Sequence, residues 1–182
     1  MKSKTGAMEM SVGTIVTIVL LMSVLILGIF LTQKIFTSAK GAIDLTDAQL
    51  KSEINKLFSD EKEVVIYPQT RLVEIKQEEI DEVGIGIQNL LQGSAGTSAF
   101  SYEVVVGDVG KCGVEESAIE DWIVIGKSEE NIPIASGDDS VQRVRLEIPK
   151  GSPLCTARFR VNVNTESGTY ATDFFDINVK AK

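Results

Sequence analysis

The sequence lacks histidine altogether, in a chain of 182 residues. Histidine-dependent triads, acid–base pairs and metal centres are therefore excluded, and with them the usual hydrolase and zinc chemistries. Carboxylates cluster between Glu78 and Glu82 and at Asp138 and Asp139, but neither group has the glycine and the distal glutamate of a calcium loop. We interpret both groups as a solvated face or turn, and we expect no catalytic residue, no metal site and no cofactor.

Signals for nucleotide or ring-stacking ligands are also scarce. Gly84 and Gly86 form a GxG pair within an alternating stretch that no helix follows, so a phosphate loop is not expected. Trp122 is the only tryptophan. Its apolar neighbour Ile123 favours a place in the core over a ligand platform.

Cysteine occurs twice, as Cys112 and Cys155. No Cys-x-x-Cys spacing indicates a zinc or redox motif. The two residues either form a disulfide or remain buried free thiols. A disulfide would close a loop of about 43 residues, would stabilise the fold by about 4 kcal/mol in the chain-entropy model, and would indicate an oxidising side of the membrane.

Charge is absent from Met10 to Gln33, between Glu9 and Lys34. A helix of this length would measure about 36 Å, enough to cross a hydrocarbon core of about 30 Å. Most of the side chains are valine, isoleucine or leucine, which favour insertion. The sequence therefore predicts that this stretch, within residues 7–34, forms a long transmembrane helix in contact with membrane lipid.

The remainder of the chain is acidic. From Gly41 to Lys182 there are 14 lysines and arginines against 25 aspartates and glutamates, a net charge of −11. Such a surface repels nucleic acid and anionic lipid head groups, so we expect no nucleic-acid partner. The lysines on the two sides of the span do not decide its orientation, but the short N-terminal tail and the possible disulfide favour a cell-surface, extracytoplasmic domain.

A change of period separates a helical stalk from a β domain. Apolar residues recur at helical spacing through residues 35–62, and Thr46 with Gln49 has the form of a capping box that opens a second helix. From residue 63 to 182 the period is two, with turn residues between short segments. Seven or eight strands are predicted, near 64–67, 71–76, 83–87, 100–106, 119–125, 144–148, 157–163 and 170–179.

That number of strands is typical of a β-sandwich. The order Cys112, Trp122, Cys155 is similar to the immunoglobulin pattern, although Cys112 lies in a turn-like stretch, where a bridge would tie a loop instead of pinning two sheets together. The predicted fold is thus an N-terminal helix followed by an immunoglobulin-like β-sandwich ectodomain.

The first ten residues, MKSKTGAMEM, resemble the class III signal peptide of archaeal type IV pilins and archaellins. In that family a membrane peptidase cuts after a glycine that ends a short basic leader, and the apolar stretch stays in the mature protein. The resemblance places cleavage between Gly6 and Ala7, so that residues 1–6 would be a basic leader and residues 7–34 a transmembrane or filament-core helix. It also implies a prepilin-type peptidase, a pilus assembly machinery and self-association into a filament. Glu9 would be the third mature residue, where pilins usually carry glutamate at the fifth. It either neutralises a neighbour's amino terminus or reaches interfacial water.

Three functions remain open at this point. The chain is a structural subunit of an archaeal pilus-like surface filament, an uncleaved single-pass membrane protein that presents an immunoglobulin-like binding module, or a secreted protein released near Ala39. The first two differ in whether residues 1–6 are retained.

Overall fold

Two units make up the chain, divided between Thr37 and Ser38. The computed structural model describes residues 12–37, 45–58, 62–91 and 96–182. The first unit contributes one α-helix, α1 (Val12–Thr37). Its 26 residues rise about 39 Å, and the part of the predicted helix before Val12 lies outside the described residues.

The second unit opens with helix α2 (Asp47–Leu57). The hydroxyl of Thr46 accepts a hydrogen bond from the backbone N–H of Gln49, and the Gln49 side chain accepts one from the backbone N–H of Thr46. The predicted capping box is therefore confirmed. It begins the helix by satisfying N–H groups that have no partner within it.

Nine strands and one short helix follow in the described residues. In chain order they are β1 (Val64–Tyr67), β2 (Leu72–Lys76), β3 (Ile80–Gln88), β4 (Thr97–Asp108), α3 (Glu116–Glu120), β5 (Ile123–Ile125), β6 (Ser128–Ala135), β7 (Asp139–Glu147), β8 (Thr156–Thr165) and β9 (Gly168–Lys180).

The strands form two sheets. The four-stranded sheet has the order β1-β3-β7-β5, and the five-stranded sheet has the order β2-β9-β8-β4-β6. All pairings are antiparallel except that of β2 with β9. Inward-facing residues of both sheets form one continuous core, which includes Val83, Val144, Phe159 and Phe175. The predicted fold class, a helix followed by a mostly-β, immunoglobulin-like sandwich, is confirmed.

Trp122 belongs to this core and is 2% exposed, as predicted. The strand predicted over 119–125 is wrong in its first half, because α3 occupies Glu116–Glu120 and only Ile123–Ile125 is extended. Ile119 is buried from a helical turn instead of from a strand, and one buried apolar residue does not reveal the local period.

Strand β6 was not among the predicted strands. It lies at an edge of the five-stranded sheet, its first four residues are exposed, and it contains Pro133. Charged residues and proline are typical of edge strands, where they discourage pairing with other chains. The same features hide the alternation by which a strand is recognised in a sequence.

Candidate functional site

Helix α1 is apolar on every side. Its large side chains from Ile15 to Leu31 are between 45% and 68% exposed, and the segment Gly13–Leu31 has a mean hydropathy of 2.9. The hydroxyl of Thr17 donates to the carbonyl oxygen of Gly13 at 2.7 Å, so this polar group is satisfied within the helix. An N-terminal helix of this kind is a membrane segment or a signal sequence.

The residues assigned to processing and assembly, Gly6, Ala7 and Glu9, lie outside the described residues. Their roles remain predictions from the resemblance of the leader.

Cys112 and Cys155 form a disulfide, with Cα atoms 5.1 Å apart. Cys112 lies in the loop after β4 and Cys155 directly precedes β8. The bridge therefore ties a loop to the start of a strand, as its turn-like context suggested. A disulfide is typical of chains that mature in an oxidising, extracytoplasmic compartment.

Two glycines allow helix α2 to pack closely on the outer face of the four-stranded sheet. Gly84 and Gly86 point outward from β3, and a Cβ atom built on Gly84 would lie 2.8 Å from Leu50 and 2.9 Å from Ile54. One on Gly86 would lie 2.8 Å from Val65. These distances are too short for carbon atoms, so only glycine lets the helix lie this close to the sheet. Leu50 and Ile54 are fully buried as a result.

Arg143 on β7 fastens the start of α2 to the sheet. Its Nη2 donates to the carbonyl oxygen of Leu45 at 2.8 Å, and its Nε lies 3.0 Å from the carboxylate of Asp47. Its Nη1 donates to Glu82 on β3 at 2.6 Å. These contacts fix the start of α2 on β3 and β7.

Glu82 is not a solvated carboxylate, contrary to the interpretation of the sequence. It was grouped with the solvated carboxylates, but its side chain is only 7% exposed, and it also accepts a hydrogen bond from Arg145 at 3.0 Å. Cross-strand pairing explains the burial, because Glu82 is opposite Arg145 and Gly84 is opposite Arg143 in the register of β3 and β7. A buried carboxylate held by two guanidinium groups is satisfied.

A groove of about 750 Å³ runs beside α2, between its first turns, β7 from Asp139 to Arg143, and the turn that joins β5 to β6. The hydroxyl of Tyr102 donates to the carbonyl oxygen of Gly126 there, at 3.0 Å. Burial, with a smaller contribution from Glu129, raises the pKa of Tyr102 to about 12. The phenol is therefore protonated at neutral pH and acts as a structural donor.

The close packing of α2 on β3 and the contacts of Arg143 were not predicted from the sequence. The available signal was the pair Gly84 and Gly86, two residues apart and hence on one face of a strand, together with the one-sided apolar pattern of Leu50, Ile54 and Phe58 upstream. Two successive glycines on the outer face of a strand leave room there for a helix.

No known family model matches the chain, and no curated protein matches its sequence significantly. Among solved structures it is similar to the CARDB domain of a Pyrococcus furiosus protein, solved in complex with di-metal ions (13% identity, 59% of this chain and 79% of that one, TM-score 0.40). It is also similar to a Niemann-Pick type C2 protein from the Japanese carpenter ant (13% identity, 65% and 90%, TM-score 0.36). The GspB Siglec domain gives 13% identity over 68% of this chain and 60% of that one, with a TM-score of 0.39. The fold assignment rests on the two sheets of this chain.

Proposed function

We propose that the chain is a structural, non-enzymatic subunit of a pilus-like surface filament, with α1 in the filament core and the sandwich exposed to the exterior. The observation that carries this proposal is the surface of α1, which is apolar on all sides. A helix with one polar face would suit either lipid or the filament core, but not both. A helix without a polar face can leave lipid and pack among identical helices, because van der Waals contacts with neighbours replace those with acyl chains.

The second unit has the properties that an exterior domain needs. Its disulfide supports an oxidising compartment. Its surface is acidic, and the Arg143 contacts fix the start of α2 on the four-stranded sheet.

The nearest alternative is an uncleaved single-pass protein that presents the same sandwich, since an all-apolar helix also suits permanent residence in lipid. The two proposals differ by one peptide bond. The intact mass of the full-length protein, extracted from membranes of a host that has a prepilin-type peptidase, separates them.

We expect the mass to correspond to a chain that begins at Ala7, and we expect electron microscopy to show filaments. Gly6→Phe should abolish both cleavage and filaments, whereas Ser3→Phe, which introduces the same bulky side chain three residues upstream in the leader, should leave both intact. Complete retention of residues 1–6 in the wild-type protein would replace the filament proposal with the single-pass alternative.

A further inference from the structure

We infer that the outer face of the five-stranded sheet, centred on Arg160, binds the acidic end of the sandwich in a neighbouring copy of this chain. This inference rests on the proposed filament function and specifies a contact between exposed domains. It is carried by a bare sheet face with a cationic and aromatic centre, and by a surface of opposite charge elsewhere on the same domain.

The outer face of this sheet is not covered by any helix among the described residues. One row of outward side chains crosses three adjacent strands: Val105 on β4 is opposite Arg160 on β8, which is opposite Phe174 on β9. Arg160 is exposed, while Val105 and Phe174 are partly exposed. The row therefore offers apolar area on both sides of a positive charge.

Arg160 differs from the other arginines beside it. The guanidinium of Arg158 lies 4.1 Å from the ring centroid of Phe174 and binds Asp176 through two hydrogen bonds. Arg71 lies 5.2 Å from the same ring and pairs with Asp173 at 2.9 Å. Within the described ranges, Arg160 has no carboxylate within ion-pairing distance.

This arrangement has the composition of an interface centre. Arginine and aromatic residues are enriched among the residues that carry most of the binding free energy, and a planar guanidinium binds a carboxylate through two hydrogen bonds. Phe174 is already held in place by two flanking cations, so little side-chain freedom is lost when a partner covers it. The partner group that satisfies Arg160 is a carboxylate.

The same chain supplies that carboxylate at another surface. Glu115 and Glu116, at the start of α3, are exposed, and in the described part of the chain neither forms an ion pair with a cationic side chain. Helix α3 lies beyond the end of β4, in the segment that the disulfide ties to the start of β8. Arg160 and these two glutamates thus belong to different elements of one domain, a strand of the sheet and the segment beyond the end of β4.

A contact between two different surfaces of identical copies is heterologous, and it propagates instead of closing into a dimer. The net charge of −11 outside the N-terminal region makes unguided approach of copies repulsive. A contact between two such domains is therefore favoured where an exposed cation is without a carboxylate partner among the described residues, and Arg160 provides such a cation on the outer face of the five-stranded sheet.

The test is a zero-length cross-link in the full-length chain. Arg160→Lys keeps the charge and provides an amine that carbodiimide joins to a carboxylate in direct contact. Chains carrying this substitution are prepared with natural nitrogen and with nitrogen-15, mixed in equal amounts, and reconstituted into uncharged phosphatidylcholine vesicles, so that no anionic lipid competes.

We expect peptide mass spectrometry to find the amine introduced by Arg160→Lys joined to Glu115 or Glu116, with about half of the linked pairs mixed in isotope. Lys127 and Glu120, which form an ion pair within one chain, provide an internal control that is never mixed. The absence of mixed links from the introduced amine, or mixed links from it to carboxylates outside α3 only, would overturn the inference.

Charge reversal gives a second readout in filaments. Arg160→Glu should reduce the yield of filaments at least tenfold, Glu116→Arg should do the same, and the double variant should recover at least half of the wild-type yield. Lys150→Glu, a reversal at an exposed turn residue, should change nothing. Filaments that are unaffected by Arg160→Glu would overturn the contact while leaving the filament function intact. Retention of residues 1–6 would reject the filament function without deciding the cross-link.

Discussion

The outer faces of the two sheets differ in what covers them, although both sheets contribute to one core. The four-stranded sheet has α2 on its outer face, and six consecutive residues of β3, Glu82 to Ile87, are buried. The outer face of the five-stranded sheet is bare of any helix in the described residues, and from Thr156 to Val161 the residues of β8 are alternately exposed and buried. A strand that is covered on both sides loses its alternation, whereas a strand that faces water keeps it.

The difference also separates two uses of arginine. Arg143 and Arg160 both lie on strands inside their sheets and both point outward. Arg143 contacts Glu82, Asp47 and the carbonyl oxygen of Leu45 beneath and beside α2, whereas Arg160 points to solvent. On the covered face Arg143 stabilises the fold, whereas on the bare face Arg160 is available to a partner.

The largest expected effect is a difference between substitutions of the two arginines, Arg143 on the covered face and Arg160 on the bare face. Arg143→Met should lower the free energy of unfolding by about 3 kcal/mol, because Glu82 stays buried with only Arg145 as a partner. Arg160→Met should change it by less than about 0.5 kcal/mol, as is usual for an exposed substitution. Urea denaturation of the full chain in detergent, followed by the fluorescence of the single tryptophan, Trp122, measures both. Equal losses for the two variants would remove the distinction between the faces.

The next effect compares two glycines, one on each outer face. Gly86→Ala should cost about 2 kcal/mol, since the new methyl group would overlap Ile54, Val65 and Phe58 and push α2 away from the sheet. Gly107→Ala on β4 places a methyl group 3.5 Å or more from its neighbours. It should be neutral or slightly stabilising, because alanine has less freedom in the unfolded chain. The same denaturation measurement applies, and a neutral Gly86→Ala would mean that α2 is not closely seated.

The contrast between faces also explains which features could be predicted from the sequence. Strand β8 was recognisable because Arg158 and Arg160 alternate with buried Phe159 and Val161. Thr46 and Gln49 were recognisable because a capping box is a local interaction. The close packing of α2 on the sheet was not recognisable. The role of Gly84 and Gly86 depends on their contacts with Leu50 and Ile54, which lie far from them in sequence.

The ion pairs were missed for a related reason. Glu82 belongs to a run of carboxylates that is typical of a solvated face, and its burial depends on the register that places Arg145 opposite it. The last two residues of α3, Ile119 and Glu120, were predicted as the start of a strand because one buried isoleucine carries no period. Local patterns were therefore predictable, and features created by contacts between distant elements were not.

A smaller effect is expected at the start of α2. Thr46→Ala removes the hydroxyl that accepts from the backbone N–H of Gln49, and it should lower the free energy of unfolding by about 1 kcal/mol. Thr172→Ala, on the exposed face of β9, is the control and should cost only a few tenths of a kcal/mol. If Thr46→Ala were no more harmful than Thr172→Ala, the covering helix would not depend on its cap.

The smallest expected effect concerns Asp173, a buried carboxylate of the five-stranded sheet, in comparison with Glu82 of the four-stranded sheet. In the part of the chain that the structure describes, Asp173 on β9 forms an ion pair with Arg71 and with no other cation, whereas Glu82 has two guanidinium groups. Burial raises the pKa of Asp173 above its ordinary value of 3.8, and this effect exceeds the opposite effects of the Phe174 N–H group and of Arg71.

Because the native state holds this proton more tightly than the unfolded state, the stability it contributes is complete below pH 3.8 and is lost as pH rises through the raised pKa. Asp173→Asn removes the titration and keeps an acceptor oxygen for Phe174. We therefore expect the stability of the wild type relative to this variant to fall as pH rises from 3.8 through the raised pKa, by less than the effect of Thr46→Ala. A relative stability that rises over the same range would mean that the ion pair with Arg71, and not burial, controls the protonation of this carboxylate.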